Sequence, residues 1–281
     1  MGTSWPRLDN LLARDHSGVA DRGRTIIHLH AERRPRAVLL LHGMTSSPSQ
    51  FERFARDLFE RGHNVLVPRL PHHGHADRLS TALARLRPDE LYTAVDEYVG
   101  IARELGDRVT IAGFSLGGLL TAWCAQHYEV ERCVAIAPFF GVAWIPGGLM
   151  TWVAETMLRV PNRFHWWDPI LRERQMPEHG YPRYATHAIA HAYRIAQAVL
   201  REAAFRPPMA QHVVLVVNAA ELGVSNRAIR RLYARWRVFQ TENVELVALR
   251  GLPPSHDIIE PLRHADLAAR VYPQILAAID P

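Results

Sequence analysis

Short apolar runs alternate with helix-like segments along most of the chain, and this alternation restricts the possible folds more than any other feature. Seven runs have the continuous apolar character of strands that are covered on both faces. They are RTIIHLH, AVLLLHG, NVLVPRL, RVTIAGF, RCVAIAP, HVVLVVN and NVELVAL. The repeated strand–helix–strand order predicts an α/β fold with a mostly parallel sheet, flanked by helices and joined by right-handed crossovers.

Two of the intervening helices have recognisable ends. In SSPSQFERFARDLFERG, Ser47 is the predicted N-cap, Pro48 the first helical residue and Gln50 the partner of the N-cap in a capping box. Gly62 ends this helix. The segment PDELYTAVDEYVGIAREL begins with proline and two acids, which suit a first turn, and ends near Gly106.

The alternation is interrupted once, between RCVAIAP and HVVLVVN. Residues 141–209 contain no clear strand and two strong helix candidates, GGLMTWVAETMLRV and ATHAIAHAYRIAQAVLREA. The segment holds four of the seven tryptophans, Trp144, Trp152, Trp166 and Trp167. Ligands of parallel α/β sheets bind beyond the carboxyl ends of the strands, where this segment emerges. We therefore predict a helical cap at 141–209 between two parts of a core, 1–140 and 210–281; a helical extension packed on the sheet is the alternative.

Composition excludes several classes of protein. The 281 residues are 48% hydrophobic and 22% charged, which is typical of a globular chain and not of a disordered one. No apolar run is long enough to cross a bilayer, and the first residues contain no apolar segment of signal-peptide length. We therefore expect a cytoplasmic protein without stable membrane insertion. Cys124 and Cys133 are the only cysteines, and we interpret both as buried thiols in a reducing compartment.

The basic residues are all arginine, 33 in number, and the formal net charge is +5. Their densest run is RAIRRLYARWR, residues 227–237. At helical spacing these arginines fall on several faces around Ile229, Leu232 and Trp236. A solvated helix face explains this pattern better than a nucleic-acid groove does, so we expect no nucleic acid among the partners. The sequence does not indicate an oligomeric state.

A single serine stands where a predicted strand turns into a predicted helix. The stretch VTIAGFSLGGLL has Ser115 at this corner, with Gly113 two residues before it and Gly117 two residues after it. A sharp turn from strand to helix crowds both flanking positions, so both must be small. The pattern G-x-S-x-G in this context is typical of a nucleophile elbow, which lifts the serine hydroxyl above the sheet. Ser115 is therefore the candidate nucleophile, and the Leu116 N–H is a candidate oxyanion donor.

With these residues, the sequence resembles the α/β-hydrolase superfamily, and within it the carboxylesterase and monoacylglycerol lipase type. LLLHGMTSSP resembles the family's oxyanion loop, NVLVPRLPHHGH its V-P-x-L-P-G-H-G strand and loop, and GYPRYATHAI a segment of its cap. The resemblance runs from about residue 37 to residue 256 and implies eight strands, of which seven are clear here. It also implies that Met44 donates the second oxyanion N–H. His42 and Gly43 are expected to border the substrate, with His42 supporting the loop and not acting as a base.

A serine nucleophile needs a base, and the base needs an orienting acid. The superfamily order is serine, then acid, then histidine. His256 lies in the loop after the last predicted strand and is the expected base. Glu221 follows the strand HVVLVVN in the position where the family usually has aspartate, so its longer side chain requires a retracted loop. Asp257, next to His256, is the competing candidate for the acid.

The loop LPHHGH departs from the family pattern, because His72 occupies a position that is usually glycine. Three histidines on this loop, His72, His73 and His75, raise the question of a metal site. No carboxylate or cysteine clearly converges with them, and we interpret them as loop residues near the mouth of the pocket. We therefore expect no metal ion and no organic cofactor.

These features predict a carboxylic ester hydrolase that forms an acyl-enzyme on Ser115. Aromatic residues of the predicted cap, with Trp144 and Trp152 as candidate substrate contacts, favour a small-molecule ester with an apolar group. Short to medium acyl esters and monoacylglycerols fit this description. Thioester hydrolysis, amide hydrolysis and acyl transfer use the same triad and are alternatives. A non-catalytic ligand-binding protein of this fold is another, and a Glu221 carboxylate out of reach of His256 would favour it.

Overall fold

Nine strands occur in the part of the chain that the structure, a computed structural model, describes: residues 5–15, 18–239 and 242–281. They are β1 (Ile26–His28), β2 (Arg34–Leu41), β3 (Asn64–Val67), β4 (Gly106–Phe114), β5 (Arg132–Ile136), β6 (Phe164–Trp166), β7 (Arg183–Ala185), β8 (His212–Asn218) and β9 (Val244–Leu249). All seven strands predicted from the sequence are among them. These seven form one sheet, and no eighth strand joins it within the described residues.

The order of the strands across this sheet is β1-β3-β2-β4-β5-β8-β9. Every neighbouring pair is parallel except β1 with β3. Central strands of such a sheet must be apolar on both faces, and β2 illustrates this. Val38 and Leu40 belong to the core on one face, whereas Leu39 and Leu41 belong to the core on the other, and all four are fully buried.

Helices cover both faces of the sheet, as predicted. They are α1 (Pro6–Leu12), α2 (Glu52–Glu60), α3 (Pro88–Leu105), α4 (Leu116–His127), α5 (Gly147–Arg159), α6 (Thr186–Glu202), α7 (Asn226–Phe239) and α8 (Ala265–Ile279). Residues of α2 and α8 form the core on one face, and residues of α1, α3, α4, α6 and α7 contribute to the core on the other. None of the helices in the described ranges combines the length and the apolar character that a membrane span requires.

The N-terminal segment, which precedes the family resemblance, packs against the rest of the protein. Leu8 and Leu11 of α1 are buried in the core that contains α3. Asp15 accepts hydrogen bonds from Arg69 Nε at 2.8 Å and from the Thr25 N–H at 2.7 Å. The expectation that the chain carries no leader segment rests partly on residues 1–4, which lie outside the described residues.

Residues 141–209 lie between β5 and β8, and we call them the insertion. Its two helices, α5 and α6, match the two predicted from the sequence. An antiparallel ribbon of β6 and β7 lies between them, with Phe164 opposite Ala185, and no sequence pattern indicated it. Helix α6 packs against α3 and α4 as well as against α5. Part of the insertion therefore extends the helical layer on the sheet.

The predicted capping box at the start of α2 is wrong. Pro48–Phe51 form a single 3₁₀ turn that precedes the helix, and the Ser47 side chain makes no capping hydrogen bond. Its hydroxyl donates instead to a backbone carbonyl at 2.8 Å. Gln50 Oε1 accepts a hydrogen bond from the Gly43 N–H at 2.9 Å. The glutamine thus supports the loop that follows β2 and does not cap the helix.

Candidate active site

Ser115 occupies the turn between β4 and α4 in a backbone conformation that few residues adopt. Its φ of 55° and ψ of −109° lie in a region that is unfavourable for residues with a side chain. The Ser115 N–H donates to the Ile136 carbonyl at 2.9 Å, and the Ser115 carbonyl accepts from the Phe139 N–H at 3.0 Å. These bonds tie the turn to the end of β5, so the surrounding backbone maintains the strain.

The glycines around Ser115 are required by the close contact of strand and helix. A Cβ at Gly113 would overlap the Gly117 carbonyl group. A Cβ at Gly117 would overlap the Leu41 carbonyl group at the end of β2. A larger residue at either position would therefore push α4 away from the sheet.

Ser115, His256 and Glu221 form one chain of hydrogen bonds. Ser115 Oγ lies 2.8 Å from His256 Nε2, and His256 Nδ1 lies 3.0 Å from Glu221 Oε2. The Glu221 side chain is fully buried, whereas 29% of the His256 side chain is exposed. In this arrangement the acid orients the imidazole through Nδ1, and Nε2 faces the serine hydroxyl.

The surroundings of Glu221 keep its carboxyl group ionised. Burial alone raises the pKa of this group, but the hydrogen bond to His256, the charge of that ring and two backbone N–H groups outweigh burial and lower the pKa. Those two groups are the Gly223 N–H, 2.5 Å from Oε1, and the Val224 N–H, 3.3 Å from it. The loop therefore holds Oε1 while Oε2 binds the imidazole.

The loop that carries His256 is fixed to the end of β8 by a single amide. Asn218 Nδ2 donates to the Pro253 carbonyl at 2.8 Å and to the Ser255 carbonyl at 2.9 Å. Its Oδ1 accepts a backbone N–H of the Glu221 loop at 3.0 Å. Asn218 thus links the loop of the acid to the loop of the base. No sequence motif indicated this role, although Asn218 is the one polar residue at the carboxyl end of an apolar strand.

Asp257 does not replace Glu221 in this arrangement. Its Oδ2 lies 3.7 Å from Arg263, and the carboxyl group is buried. Burial and the charge of Glu260 raise its pKa above the ordinary value. Of the two candidate acids, Glu221 is the one that binds the His256 ring.

His42 supports the loop that carries Met44. Its Nδ1 lies 2.9 Å from the Gly43 carbonyl oxygen, and its Nε2 accepts the Leu70 N–H at 3.1 Å. Both ring nitrogens are engaged and the residue has no exposed surface, so the expectation that His42 borders the substrate is wrong. Gly43 is buried as well, and its N–H is bound by Gln50, so it too offers no donor to a substrate. The expected support of the loop by His42 agrees with its contacts.

The two candidate oxyanion donors lie on backbone segments that touch each other. The first turn of α4 packs on the end of β2, since a Cβ at Gly117 would also lie 2.7 Å from the His42 oxygen. Leu116 is the first residue of α4, a position whose N–H has no partner within a helix. Met44 follows β2 by three residues and is half-buried.

The insertion contacts the loop next to Met44, and no sequence pattern indicated this contact. Thr45 has a φ of 64°, and its carbonyl accepts the Tyr181 N–H at 2.7 Å. The indole N–H of Trp167 donates to Thr45 Oγ1 at 2.9 Å. His179 Nδ1 lies 3.1 Å from the Ser47 hydroxyl. Three residues of the insertion therefore hold the loop in its strained conformation.

The two tryptophans predicted to contact substrate are exposed. Trp144 is 78% exposed and Trp152 is 65% exposed. Trp144 lines a cavity of about 670 Å³ between α5, α6 and α7, and the described lining of this cavity includes none of the three residues of the hydrogen-bonded chain. Contact of Trp144 and Trp152 with substrate stays a prediction. Helix α5 buries Met150 and Ala154 and leaves Trp152 on its outer side.

The histidine loop is explained by local contacts. His72 has a φ of 66°, the region that glycine favours, and its Nε2 lies 3.1 Å from Glu90. His73 is buried with Nδ1 2.8 Å from the Pro71 carbonyl oxygen, and burial lowers the pKa of its ring to about 4. Across the described ranges, no group of three or more histidines, cysteines or acids has the arrangement of a metal site.

Replacement of Gln50 by leucine is expected to destabilise the protein by about 1–3 kcal/mol, because it leaves the buried Gly43 N–H without an acceptor. The free energy of unfolding measured with urea tests this. Gln274→Leu makes the same chemical change at an exposed site on α8 and should shift stability by less than about 0.5 kcal/mol. Equal decreases in the free energy of unfolding of both variants would contradict the assigned role of Gln50.

Comparison with known proteins identifies the family. The sequence profile of the alpha/beta hydrolase family matches residues 38–271. A thermostable monoacylglycerol lipase from Bacillus sp. (strain H-257) is 31% identical over 118 residues, which are 42% of this chain and 45% of that protein. The chain therefore aligns with less than half the length of this relative.

Solved structures agree with the sheet and helices described above. A structure reported for LipS and LipT, two metagenome-derived lipolytic enzymes, has a TM-score of 0.68 at 17% identity, covering 92% of this chain and 98% of that one. The monoacylglycerol lipase of Paleococcus ferrophilus has a TM-score of 0.67 at 18% identity, covering 90% and 98%. At these identities the likeness concerns the fold alone. Because the family profile extends over most of the sequence and over the strand–turn–helix that contains Ser115, the chain belongs to the alpha/beta hydrolase family.

Proposed function

We propose that the protein hydrolyses carboxylic esters through an acyl-enzyme on Ser115. One chain of hydrogen bonds carries this proposal: Ser115 Oγ to His256 at 2.8 Å and His256 to Glu221 at 3.0 Å. Both distances are within the reach that proton transfer needs. The strained turn at the serine and the buried, ionised acid support the same assignment of nucleophile, base and orienting acid.

The reaction follows from these positions. Ser115 Oγ attacks the ester carbonyl carbon while His256 Nε2 takes the hydroxyl proton, and Glu221 stabilises the imidazolium that forms. The tetrahedral intermediate collapses, the bond to the alcohol breaks, and His256 gives its proton to the leaving oxygen. Water then attacks the acyl-enzyme, again losing a proton to His256, and the acid is released from Ser115.

The oxyanion of each intermediate is stabilised by the N–H groups of Met44 and Leu116. The position of Leu116 at the start of α4 supports this role, because the helix dipole adds to the hydrogen bond. For Met44 the support is the fixed loop around it, which Gln50 holds from the core side and Thr45 links to the insertion. Fixed donors of this kind need no reorganisation when charge develops.

The substrate class is an ester with an apolar acyl or alcohol group, with monoacylglycerol-like esters as the first candidates. The names of the similar proteins, which include monoacylglycerol lipases, support this choice. The insertion acts as a cap, since it emerges after β5, beside the Ser115 turn, and contacts the loop of Met44. Trp167, His179 and Tyr181 of the insertion form hydrogen bonds with that loop.

A non-catalytic binding role receives less support. An aspartate-to-glutamate change can disable a triad, but here the Glu221 carboxylate remains 3.0 Å from the imidazole. Hydrolysis in a reducing, cytoplasmic compartment fits the two cysteines, which are both buried free thiols. Burial raises the pKa of both thiols, so neither is a competing nucleophile.

Fluorophosphonate labelling combined with ester turnover tests the proposal. The wild-type protein should be labelled at Ser115, as mapped by peptide mass spectrometry, and should hydrolyse p-nitrophenyl esters. A series of acyl lengths then measures the size of the acyl site, and competing alcohols distinguish hydrolysis from acyl transfer. If the wild-type protein is not labelled and hydrolyses no ester of the series, the proposal is overturned.

Replacement of Trp167 by phenylalanine is expected to lower kcat for ester hydrolysis roughly threefold to tenfold with little change in KM. The indole N–H that binds Thr45 Oγ1 is lost, and one neutral hydrogen bond contributes about 0.5–1.5 kcal/mol. Trp166→Phe makes the same change at the neighbouring half-buried residue and serves as the control. The same kcat in both variants would show that the insertion does not position the loop.

A further inference from the structure

The cavity of about 670 Å³ between α5, α6 and α7 is not used by the proposed hydrolysis. A volume of this size is typical of sites that bind small molecules. Its inner surface includes the apolar side chains of Phe140, Met150 and Tyr193, each nearly fully buried, and the lining also contains three neutral polar residues, Thr151, Gln197 and Ser225. Its rim carries four arginines, Arg201, Arg227, Arg231 and Arg235. The cavity therefore combines an apolar interior with a positively charged opening.

Three of these arginines lie on one face of α7. Residues four apart on a helix are neighbours, so Arg227, Arg231 and Arg235 form a row along the opening. Burial, and then the charge of Arg231, lower the pKa of the Arg235 guanidinium. Like charges at this spacing repel each other, and an anion between them would relieve the repulsion.

Elsewhere on the same helices an acidic residue neutralises the positive charge of an arginine, but this does not occur at the rim described here. Arg194 of α6 forms two hydrogen bonds with Glu155 of α5, at 2.8 and 3.0 Å. In contrast, no aspartate or glutamate is among the described residues that line the cavity. Within the described ranges, Arg201, Arg227 and Arg231 take part in no ion pair. Arg235 donates to the Leu200 carbonyl at the end of α6, which fixes one side of the opening.

We propose that this cavity binds an amphiphilic anion, with the apolar chain of the ligand on the buried interior and a carboxylate or phosphate head at the arginine rim. Guanidinium groups suit either head, because their paired N–H donors match two oxygens of one anion. The apolar interior discriminates against a bare inorganic anion, and the rim discriminates against a neutral amphiphile. Binding here does not depend on the proposed hydrolysis, since Ser115, His256 and Glu221 are outside the described lining.

Isothermal titration calorimetry of the full chain with octyl phosphate, octanoate, octanol and inorganic phosphate tests this site. All four are used below the concentration at which they aggregate. We expect saturable binding of one octyl anion per chain, at least about tenfold tighter than octanol or inorganic phosphate, and weaker at high ionic strength. The head group of the tighter of the two octyl anions identifies the ligand class. Because the readout is binding and not turnover, it is independent of whether Ser115 is a nucleophile.

Arginine variants locate the binding. Arg227→Gln and Arg231→Gln should each weaken the binding of the octyl anion roughly tenfold, because each removes a charge-assisted hydrogen bond. Arg230→Gln removes an exposed arginine of the same helix that does not line the cavity, and its affinity should stay within about twofold of wild type. The proposal is overturned if no saturable binding is seen or if octanol binds as tightly as the octyl anions. It is also overturned if affinity falls equally in all three variants, or if the two lining variants keep the wild-type affinity.

Discussion

Ser115→Ala is expected to lower kcat for ester hydrolysis by about 10⁶-fold, with fluorophosphonate labelling lost at the same time. In the proposed mechanism the three residues act as a unit, so removal of the nucleophile abolishes the acyl-enzyme route and leaves only the proposed oxyanion donors and substrate binding. Those remaining features still accelerate hydrolysis over water by roughly 10³–10⁴-fold. Steady-state turnover of the preferred p-nitrophenyl ester, at enzyme concentrations high enough to detect this remainder, is the measurement.

The control for this variant is Ser80→Ala, which changes a serine whose hydroxyl accepts only a local backbone N–H at 3.2 Å. Its kcat should equal that of the wild type. Because alanine retains a side chain at the strained φ of 55°, Ser115→Ala should unfold near the wild-type temperature, and loss of activity cannot then be ascribed to unfolding. Retention of kcat within tenfold of wild type would exclude Ser115 as the nucleophile.

Glu221→Gln is expected to lower kcat by about 10⁴-fold, the second largest effect, with little change in KM. The amide that replaces the carboxylate can donate a hydrogen bond to His256 Nδ1 at the present 3.0 Å separation. That donation favours the tautomer with the proton on Nε2, which then cannot accept the proton of Ser115. The imidazolium also loses its negatively charged partner. The kcat of the preferred ester, measured with the purified variant, tests this.

Two further variants separate the role of Glu221 from general charge effects. Asp257→Asn removes the neighbouring buried acid, whose Oδ2 lies 3.7 Å from Arg263 and which does not bind the His256 ring, and should change kcat less than about threefold. Glu221→Asp keeps the charge but withdraws it by one methylene from a loop that Gly223 and Val224 hold in place, so its kcat should lie between those of wild type and Glu221→Gln. A larger loss in Asp257→Asn than in Glu221→Gln would reverse the assignment of the acid.

The sheet was predictable because its strands are marked by composition alone. Val38 to Leu41 pack alternately on two cores, so every residue of that stretch must be apolar, and this produces the continuous run that the sequence shows. The ribbon of β6 and β7 has no such mark. Its strands are three residues long, and Ala185 is the one fully buried residue among them, so no periodic pattern separates them from a loop.

Candidate catalytic residues were predictable for a different reason. Gly113 and Gly117 are required by contacts too close for a side chain, and that requirement depends only on local chain geometry.

Gln50 shows the limit of this reasoning. Its spacing from Ser47 matches a capping box, but its side chain accepts instead the buried N–H of Gly43, seven residues earlier in the chain. Trp152 shows another limit, because aromatic content alone cannot indicate that this side chain lies on the exposed side of α5.

Hydrogen bonds join Thr45, in the loop after β2, to the insertion, so these two segments should be exchanged together when chimeras are made. A chimera that keeps its own loop after β2, but receives residues 141–209 from a relative without a tryptophan at the position of Trp167, would lose the indole hydrogen bond to Thr45, whose φ is 64°. The Met44 N–H, the proposed oxyanion donor, would then be displaced even though Ser115, His256 and Glu221 had not changed. In this chain, exchange of the insertion is therefore expected to preserve the geometry of the Met44 loop only when that loop is exchanged with it.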